Sequence, residues 1–196
     1  MVWEKERIKL ICVCAVSCAG KSTYVNAISG KGCEYDTEEF TGGREPIVLS
    51  LGIIFREALG DGFFADRQRP HAPDITNNVV KSMVFEFTKM AYESERDIIV
   101  DGFPRTDLQV QWLLLSSFAS MRAIDIEVRF LYPDECELVN RRRQRLNLCD
   151  GENSRKALEQ RFVSDRAMFI QVFNEVLKSV KSGKFDGKLT MKEIDI

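Results

Sequence analysis

The hydrophobic residues of this chain fall into two kinds of segment. Short, near-continuous apolar runs are typical of strands buried on both faces of a parallel sheet, whereas apolar residues three or four positions apart are typical of helices. Residues 7–16, RIKLICVCAV, form the clearest run, and helical spacing follows over 21–29. The other predicted strands are 46–50, 97–100, 124–132 and 187–196, and the other predicted helices are 52–59, 75–90, 107–118, 133–145 and 154–181.

Strands and helices alternate along the whole chain. This order favours an α/β fold with a central parallel sheet of about five strands and helices on both faces. A length of 196 residues suits one domain. In such sheets ligands bind at the carboxyl ends of strands, so the segments after 7–16 and 97–100 are expected to share a site. Asp74, which precedes the apolar residues of its helix, is predicted to be the N-cap.

The segment after the first strand has the pattern of a phosphate-binding loop. Residues 15–22 read A-x-x-x-x-G-K-S, with Ala15 where the P-loop pattern G-x-x-x-x-G-K-[ST] has glycine. A helix start presents unpaired N–H groups to an anion, Lys21 can follow a β- or γ-phosphate, and the Ser22 hydroxyl suits magnesium. The same residues are also compatible with a strand and a helix joined by small side chains, and the sequence leaves both interpretations open.

An acid and a group of arginines complete the candidate chemistry. Asp101 ends the apolar strand at 97–100, where it can lie beside Ser22 and hold magnesium through water. Arginines supply the positive charge that phosphoryl transfer needs, and they are dense in the run 141–145. A basic run at the end of a helix is also typical of a solvated helix terminus, which favours cations.

Composition narrows the class of protein. The formal net charge of −2 argues against a general nucleic-acid or membrane-surface binder, which would be basic. The six cysteines and one histidine form no regular C-x-x-C pairs, so zinc is not expected. Cys12 and Cys14 are predicted to be core side chains in a reducing compartment, the cytoplasm. The run 9–20 also resembles a lipoprotein signal with its cysteine at Cys18, but two acids precede it and its apolar part is short.

One string is more specific than the P-loop pattern. DGFPRT at 101–106, followed by Gln109, resembles the signature of the adenylate kinase family of nucleoside monophosphate kinases. The resemblance extends over most of the chain. SLG at 50–52 with Arg56 resembles the family's S-T-G-D-x-x-R segment, and KALEQR at 156–161 resembles its helix after the lid. Further similar segments are PD at 73–74 and YPDE at 132–135.

The resemblance implies roles for individual residues. It implies that Asp101 and Ser22 hold magnesium with ATP and that Gln109 reads the acceptor base. A side-chain amide suits the N1/6-amino edge of adenine, so Gln109 favours AMP or dAMP. The implied catalytic residues are Lys21, Arg105, Arg145 and Arg161. The implied ATP-binding residues are Ser17, Cys18, Ala19, Gly20, Lys21, Ser22, Thr23, Arg141 and Arg142. The implied acceptor-binding residues are Ser50, Leu51, Gly52, Arg56, Gly102, Phe103, Arg105 and Gln109.

The chain departs from the family pattern at several positions. Ala15 and Cys18 replace glycines of the loop, and a positive φ at Cys18 would cost a non-glycine residue about 1 kcal/mol or more. Leu51 and Ile53 replace the threonine and aspartate of the acceptor segment. The lid is short, lacks zinc cysteines, and has no clear counterpart of the arginine that the family places before a pair of aspartates.

The sequence therefore predicts a short-lid nucleoside monophosphate kinase formed by one P-loop domain, residues 1–196. It would transfer the γ-phosphate of magnesium-bound ATP to AMP or dAMP, with an acceptor segment at 52–92 and a lid at 142–155 that close and exclude water. The expected partners are small-molecule nucleotides, without membrane or nucleic acid, and the chain is expected to be a monomer. The alternatives are a kinase for another base, a hydrolase, or a catalytically impaired nucleotide-binding protein of the same fold.

Overall fold

The structure is a computed structural model that describes most of the chain. The described residues are 7–30, 40, 44–59, 72–115, 124–149, 151–183, 185 and 188–196, and the side chains of residues 56, 58, 59, 72–76, 115 and 157 lie outside that description. None of the helices within these ranges is long and apolar enough to cross a membrane.

A five-stranded sheet forms the centre of the molecule. Its strands are β1 (Ile8–Cys14), β2 (Ile47–Ser50), β3 (Ile98–Asp101), β4 (Ile124–Tyr132) and β5 (Leu189–Asp195). The order is β2-β3-β1-β4-β5, and every neighbouring pair is parallel. The α/β class and the parallel sheet predicted from the sequence are confirmed. β1 lies in the middle of the sheet, which explains why its residues read as a near-continuous apolar run.

Six helices lie within the described ranges and connect the strands. They are α1 (Lys21–Ile28), α2 (Leu51–Leu59), α3 (Ala72–Glu93), α4 (Asp107–Leu115), α5 (Glu135–Asn147) and α6 (Glu152–Lys181). The side chain of Asp134 caps α5 by accepting a hydrogen bond from the backbone N–H of Glu137 (2.9 Å). Acids in the first turn of α5 add to this cap, because they face the positive end of the helix dipole.

Several predicted helix boundaries are wrong. Asp74 is not the N-cap of its helix, because α3 begins at Ala72 and therefore includes Pro73. Proline is tolerated in a first helical turn, where its missing N–H would have no intrahelical partner. The polar break predicted at 146–153 is shorter than expected, because α5 continues to Asn147 and α6 begins at Glu152. Most of the predicted lid at 142–155 is therefore helical.

The sheet is packed on both faces. Leu10 and Cys12 of β1 point to one face, where their cluster includes buried residues of α3, α4 and α6. Ile11 and Val13 point to the other face and pack with Val25 and other residues of α1. Burial raises the pKa of the Cys12 thiol, and the neighbouring Cys14 raises it further. Cys12 is therefore a neutral core side chain, as predicted.

One charged side chain lies inside the face that α1 covers. Arg129 of β4 is 1% exposed and donates a hydrogen bond to the hydroxyl of Tyr24 in α1 (2.8 Å). Its Nε pairs with Glu127, and Glu127 also pairs with Lys192 of β5 (3.1 Å). Burial raises the pKa of Glu127, but the charges and hydrogen bonds of Arg129 and Lys192 outweigh burial, so the pKa lies below its usual 4.5. This network joins β4, β5 and the helix that follows the P-loop.

Replacing Glu127 by glutamine should lower the free energy of unfolding by about 3 kcal/mol, because it removes the carboxylate from a buried arginine. Urea unfolding at pH 7 measures the change. The matched control is D125N in the same strand, which breaks an exposed ion pair between Arg7 and Asp125. It should lose less than about 1 kcal/mol, because solvent screens such pairs.

The pH dependence provides an independent check of the same network. The pKa of Glu127 is lower in the folded chain than in the unfolded chain, so its contribution is complete above pH 4.5 and is lost as the pH falls through the lowered value. The stability of E127Q should therefore change less between pH 7 and acid than that of the wild type. Equal losses in E127Q and D125N at pH 7 would contradict the buried network.

Candidate phosphate-binding site

The loop between β1 and α1 has a backbone that few residues adopt. Cys18 and Gly20 have φ angles of +71° and +89°, in the left-handed region. Cys18 therefore carries the cost of about 1–2 kcal/mol that a positive φ imposes on a non-glycine residue. Val16 and Ala19 are buried and cluster with Leu138 of α5. Packing of these apolar side chains holds the loop in place.

The first turn of α1 is open to an anion. Its N-cap is Gly20, which has no side chain to bond the N–H groups of the turn, and no acid lies in the turn. The turn therefore combines N–H groups that have no intrahelical partner with the positive end of the helix dipole. Lys21, the first helical residue, adds a full positive charge. These properties favour binding of a phosphate at this end of the helix.

Lys21 contacts Asp101 at the end of the neighbouring strand. The Lys21 ammonium pairs with Oδ1 of Asp101, whose side chain is 9% exposed. The hydroxyl of Ser50, at the end of β2, donates to Oδ2 of the same carboxylate (3.5 Å). The ends of β1, β3 and β2 thus each contribute to one polar cluster at the carboxyl edge of the sheet, as the sequence predicted for the P-loop and Asp101.

Arg105 lies close to the same cluster. Its Nε donates to the carbonyl of Gly102 (2.9 Å). A Cβ atom added at Gly102, whose φ is +81°, would lie 3.0 Å from Arg105 Nη2 and 3.4 Å from Lys21 Nζ. The two cations therefore converge over a backbone position that carries no side chain. Both cations also line one cavity.

A cavity of about 300 Å³ lies over this edge of the sheet. Cys14 is part of its lining, and the Cys14 thiol donates to the carbonyls of Phe103 and Pro104 (3.4 Å each). Burial raises the pKa of Cys14 to about 12, although the charges of Lys21 and Arg105 lower it, so the thiol is neutral. The predicted site residues that line the cavity are Ser17, Cys18, Ala19, Gly20, Lys21, Ser22, Thr23, Gly52, Asp101, Gly102, Arg105, Arg145 and Arg161.

Three further predicted residues are buried and are not part of this lining. Leu51 and Phe103 are buried in the hydrophobic core. The amide oxygen of Gln109 accepts from the backbone N–H of Arg105 (2.7 Å), and its amide nitrogen donates to Asn77 of α3 (3.0 Å). Gln109 thus supports the backbone that carries Arg105.

The arginines of α5 point in different directions. Arg141 donates to the carbonyl of Cys18 (3.5 Å), and Arg145 Nη1 lies 3.9 Å from the Cys18 sulfur. Arg142 instead packs over the ring of Phe162, 4.9 Å from its centroid, and is not part of the cavity lining. Arg56 belongs to α2, and its side chain lies outside the described residues. Of the predicted lid arginines, Arg141 and Arg145 therefore reach the P-loop.

One acid of the cavity lining was not among the residues predicted from the sequence. Asp165 of α6 accepts a hydrogen bond from the hydroxyl of Ser17 and lies 3.6 Å from Arg161. Its position four residues after Arg161, on the same helix face, was the available signal.

The residues present fit a magnesium ion. The described part of the chain contains no group of three or more His, Cys, Asp or Glu side chains that could hold a metal. Magnesium in nucleotide sites needs fewer protein ligands, because phosphate and water oxygens complete its coordination. Ser22 and Asp101 both line the cavity and offer oxygen atoms of the required kind.

A scan against models of protein families finds no match to this chain. A search of curated proteins finds no match either.

Replacing Gly102 by alanine should weaken phosphate binding by about tenfold or more, because the added Cβ would displace Lys21 and Arg105. The positive φ should also lower stability by about 1 kcal/mol. Calorimetric titration with inorganic triphosphate and urea unfolding measure the two effects.

The matched control is G183A, because Gly183 has a φ of +64° and no atom within 4 Å of an added Cβ. It should lose stability without losing triphosphate affinity. Equal affinities for triphosphate in G102A and G183A would show that Gly102 is not part of a phosphate site.

Proposed function

We propose that this chain is a P-loop nucleoside monophosphate kinase with an adenylate kinase-like fold. It transfers the γ-phosphate of ATP to a nucleoside monophosphate or deoxynucleoside monophosphate and yields two diphosphates. The observation that carries the proposal is the convergence of Lys21 and Arg105, from two neighbouring strand ends, on the space over Gly102 in one cavity. A reaction between two phosphorylated substrates requires their phosphates to meet between such cations.

The donor side is formed by the P-loop. The N–H groups at the start of α1 and the Lys21 ammonium bind the β- and γ-phosphates of ATP. Arg141 and Arg145 of α5 reach the loop at Cys18, which supports their role in closing over the donor. Arg161 approaches from α6 as part of the cavity lining. These cations stabilise charge on the phosphates during transfer.

The acceptor side is formed by the loop after β3. Arg105 holds the monophosphate, and the missing side chain of Gly102 lets the phosphates of donor and acceptor approach each other. Gln109 fixes the backbone N–H of Arg105 and contacts Asn77. Gln109 is only 5% exposed and lies outside the cavity lining, so its own contacts do not select a base. The proposed preference for AMP or dAMP rests on the resemblance of this segment to the family signature.

Transfer then depends on position and electrostatics. Lys21 and Arg105 align the phosphates, and closure of the segments at 52–92 and 142–155 excludes water that would otherwise hydrolyse ATP. Magnesium, held by Ser22 and Asp101, would supply charge neutralisation on the phosphates. Asp101 pairs with Lys21, and nucleotide binding would exchange that contact for contacts to phosphate.

The proposal also states that the protein works in the cytoplasm and as a monomer. The described cysteines, including the buried Cys12 and Cys14, are free thiols, which suits a reducing compartment. All groups proposed to act on the phosphates come from one chain, so catalysis needs no second copy.

The experiment that tests the function is diphosphate formation from ATP and magnesium with AMP, dAMP, CMP, UMP, GMP or dTMP, and with no acceptor. The proposal predicts transfer to AMP or dAMP and little loss of ATP without an acceptor. Transfer only to another monophosphate would retain the kinase and reject the adenine preference. Loss of ATP without an acceptor would indicate a hydrolase, and nucleotide binding without turnover would indicate an impaired nucleotide-binding protein.

Replacing Lys21 by methionine should lower kcat by about a hundredfold or more, because it removes a cation from the transferring phosphate. Steady-state kinetics with ATP and the best acceptor measure this loss.

R105K should raise the KM of the monophosphate more than that of ATP, because lysine keeps the charge but loses the forked donors of arginine.

The matched control is K181M, at the exposed end of α6, which should keep wild-type kinetics. Near-normal kcat in K21M would reject the role assigned to Lys21.

A further inference from the structure

Asp165 is a negative charge in the lining of a cavity otherwise suited to phosphates. It belongs to α6, its side chain is 12% exposed, and it lines the cavity together with Arg161. The four-residue spacing places Asp165 and Arg161 on one helix face. The proposed transfer of phosphate assigns no task to this carboxylate.

Two contacts fix the position of the carboxylate. Oδ2 of Asp165 accepts a hydrogen bond from the hydroxyl of Ser17 in the P-loop, and it lies 3.6 Å from Nε of Arg161. Asp165 thus connects the P-loop to α6, two segments far apart in sequence. Its contact with the Ser17 hydroxyl occupies a donor that a phosphate could use.

The charges of the cavity show what the carboxylate does to an entering ligand. The described lining contains four cations, Lys21, Arg105, Arg145 and Arg161, and two acids, Asp101 and Asp165. Asp101 has a task in the proposed function, because it would hold magnesium. Asp165 has none, and at this depth solvent screens its repulsion of a phosphate only weakly. The repulsion grows with the number of negative charges on the ligand.

We propose that Asp165 is a specificity-determining residue of the phosphate site. Its carboxylate holds Ser17 and Arg161 until a polyphosphate displaces it, and its charge lowers the affinity of each ligand in proportion to the charge of that ligand. The inference rests on the proposed function in one respect, namely that the cavity binds polyphosphates. Its consequence is that highly charged nucleotides leave the site more readily than the four cations alone would allow.

The test compares wild type with D165N in calorimetric titrations with inorganic triphosphate, inorganic diphosphate, ATP and adenosine. D165N removes the charge, while its amide oxygen can still accept from Ser17. We expect D165N to bind triphosphate and ATP about tenfold more tightly, to bind diphosphate with a smaller gain, and to bind adenosine as the wild type does. The control is E159Q, which removes one charge from an exposed position of α6 outside the cavity lining and should change none of these affinities.

Several results would overturn the inference. Weaker or unchanged triphosphate binding in D165N would show that the carboxylate only supports the structure. An equal gain for adenosine would show that the effect is not electrostatic. If D165N does not fold, D165A must show the same gain that increases with ligand charge, and its absence counts against the inference. If D165N gives one of these results, the wild-type protein can still transfer phosphate and the proposed function stands. If the wild-type protein binds no polyphosphate, the proposed function is rejected as well.

Discussion

The pairing of β1 with β3 is the constraint on which the candidate site depends. Val13 lies opposite Asp101 in this parallel pair, and the backbone N–H of Gly102 donates to the carbonyl of Val13 (3.0 Å). Parallel strands end at the same edge of a sheet, so the loops that follow them must be neighbours. Lys21 from one loop and Arg105 from the other can meet over Gly102 only because this register is fixed. The apolar clusters on both faces of β1 fix the sheet itself.

The segments around this pairing contain strained backbone and buried charge. Both lower stability, and a purely structural loop would avoid them. Cys18 adopts a positive φ, and the Asp101 carboxylate is largely buried beside Lys21. Gly102 carries no side chain where two cations converge. Strained backbone and buried charge of this kind gather at functional sites, because a binding site needs donors fixed before the ligand arrives. The ion pair of Lys21 with Asp101 offsets part of the cost of burying that carboxylate.

The sequence was sufficient for the sheet and for the loops at its edge. Apolar runs such as 7–16 identify buried strands, and the P-loop pattern together with Asp101 identifies two strand ends that share a site. It was not sufficient for contacts that depend on the rotation of a helix. Arg141 and Arg142 are adjacent in sequence, yet Arg141 contacts Cys18 and Arg142 packs over Phe162.

The sequence also did not predict contacts between residues that are far apart in the chain. Ser17 and Asp165 are 148 positions apart, and only the packing of α6 against the P-loop brings them together. Arg129 reads as an ordinary charged residue of a half-buried strand. In the structure Arg129 is buried next to Tyr24 of α1 and belongs to the same network as Lys192 of β5. A strand pattern cannot identify these two residues as its neighbours. Such contacts need the three-dimensional arrangement, because no local periodicity encodes them.

The central claim is that one cavity holds the phosphates of both nucleotides between Lys21 and Arg105. The most direct measurement is the affinity of two adenosines joined by five phosphates, compared with ATP, AMP and the analogue with three phosphates. A compound that occupies both subsites at once should bind about a hundredfold or more tighter than ATP, and the shorter analogue should not. Affinity for the five-phosphate compound no greater than for ATP would contradict a shared cavity for donor and acceptor.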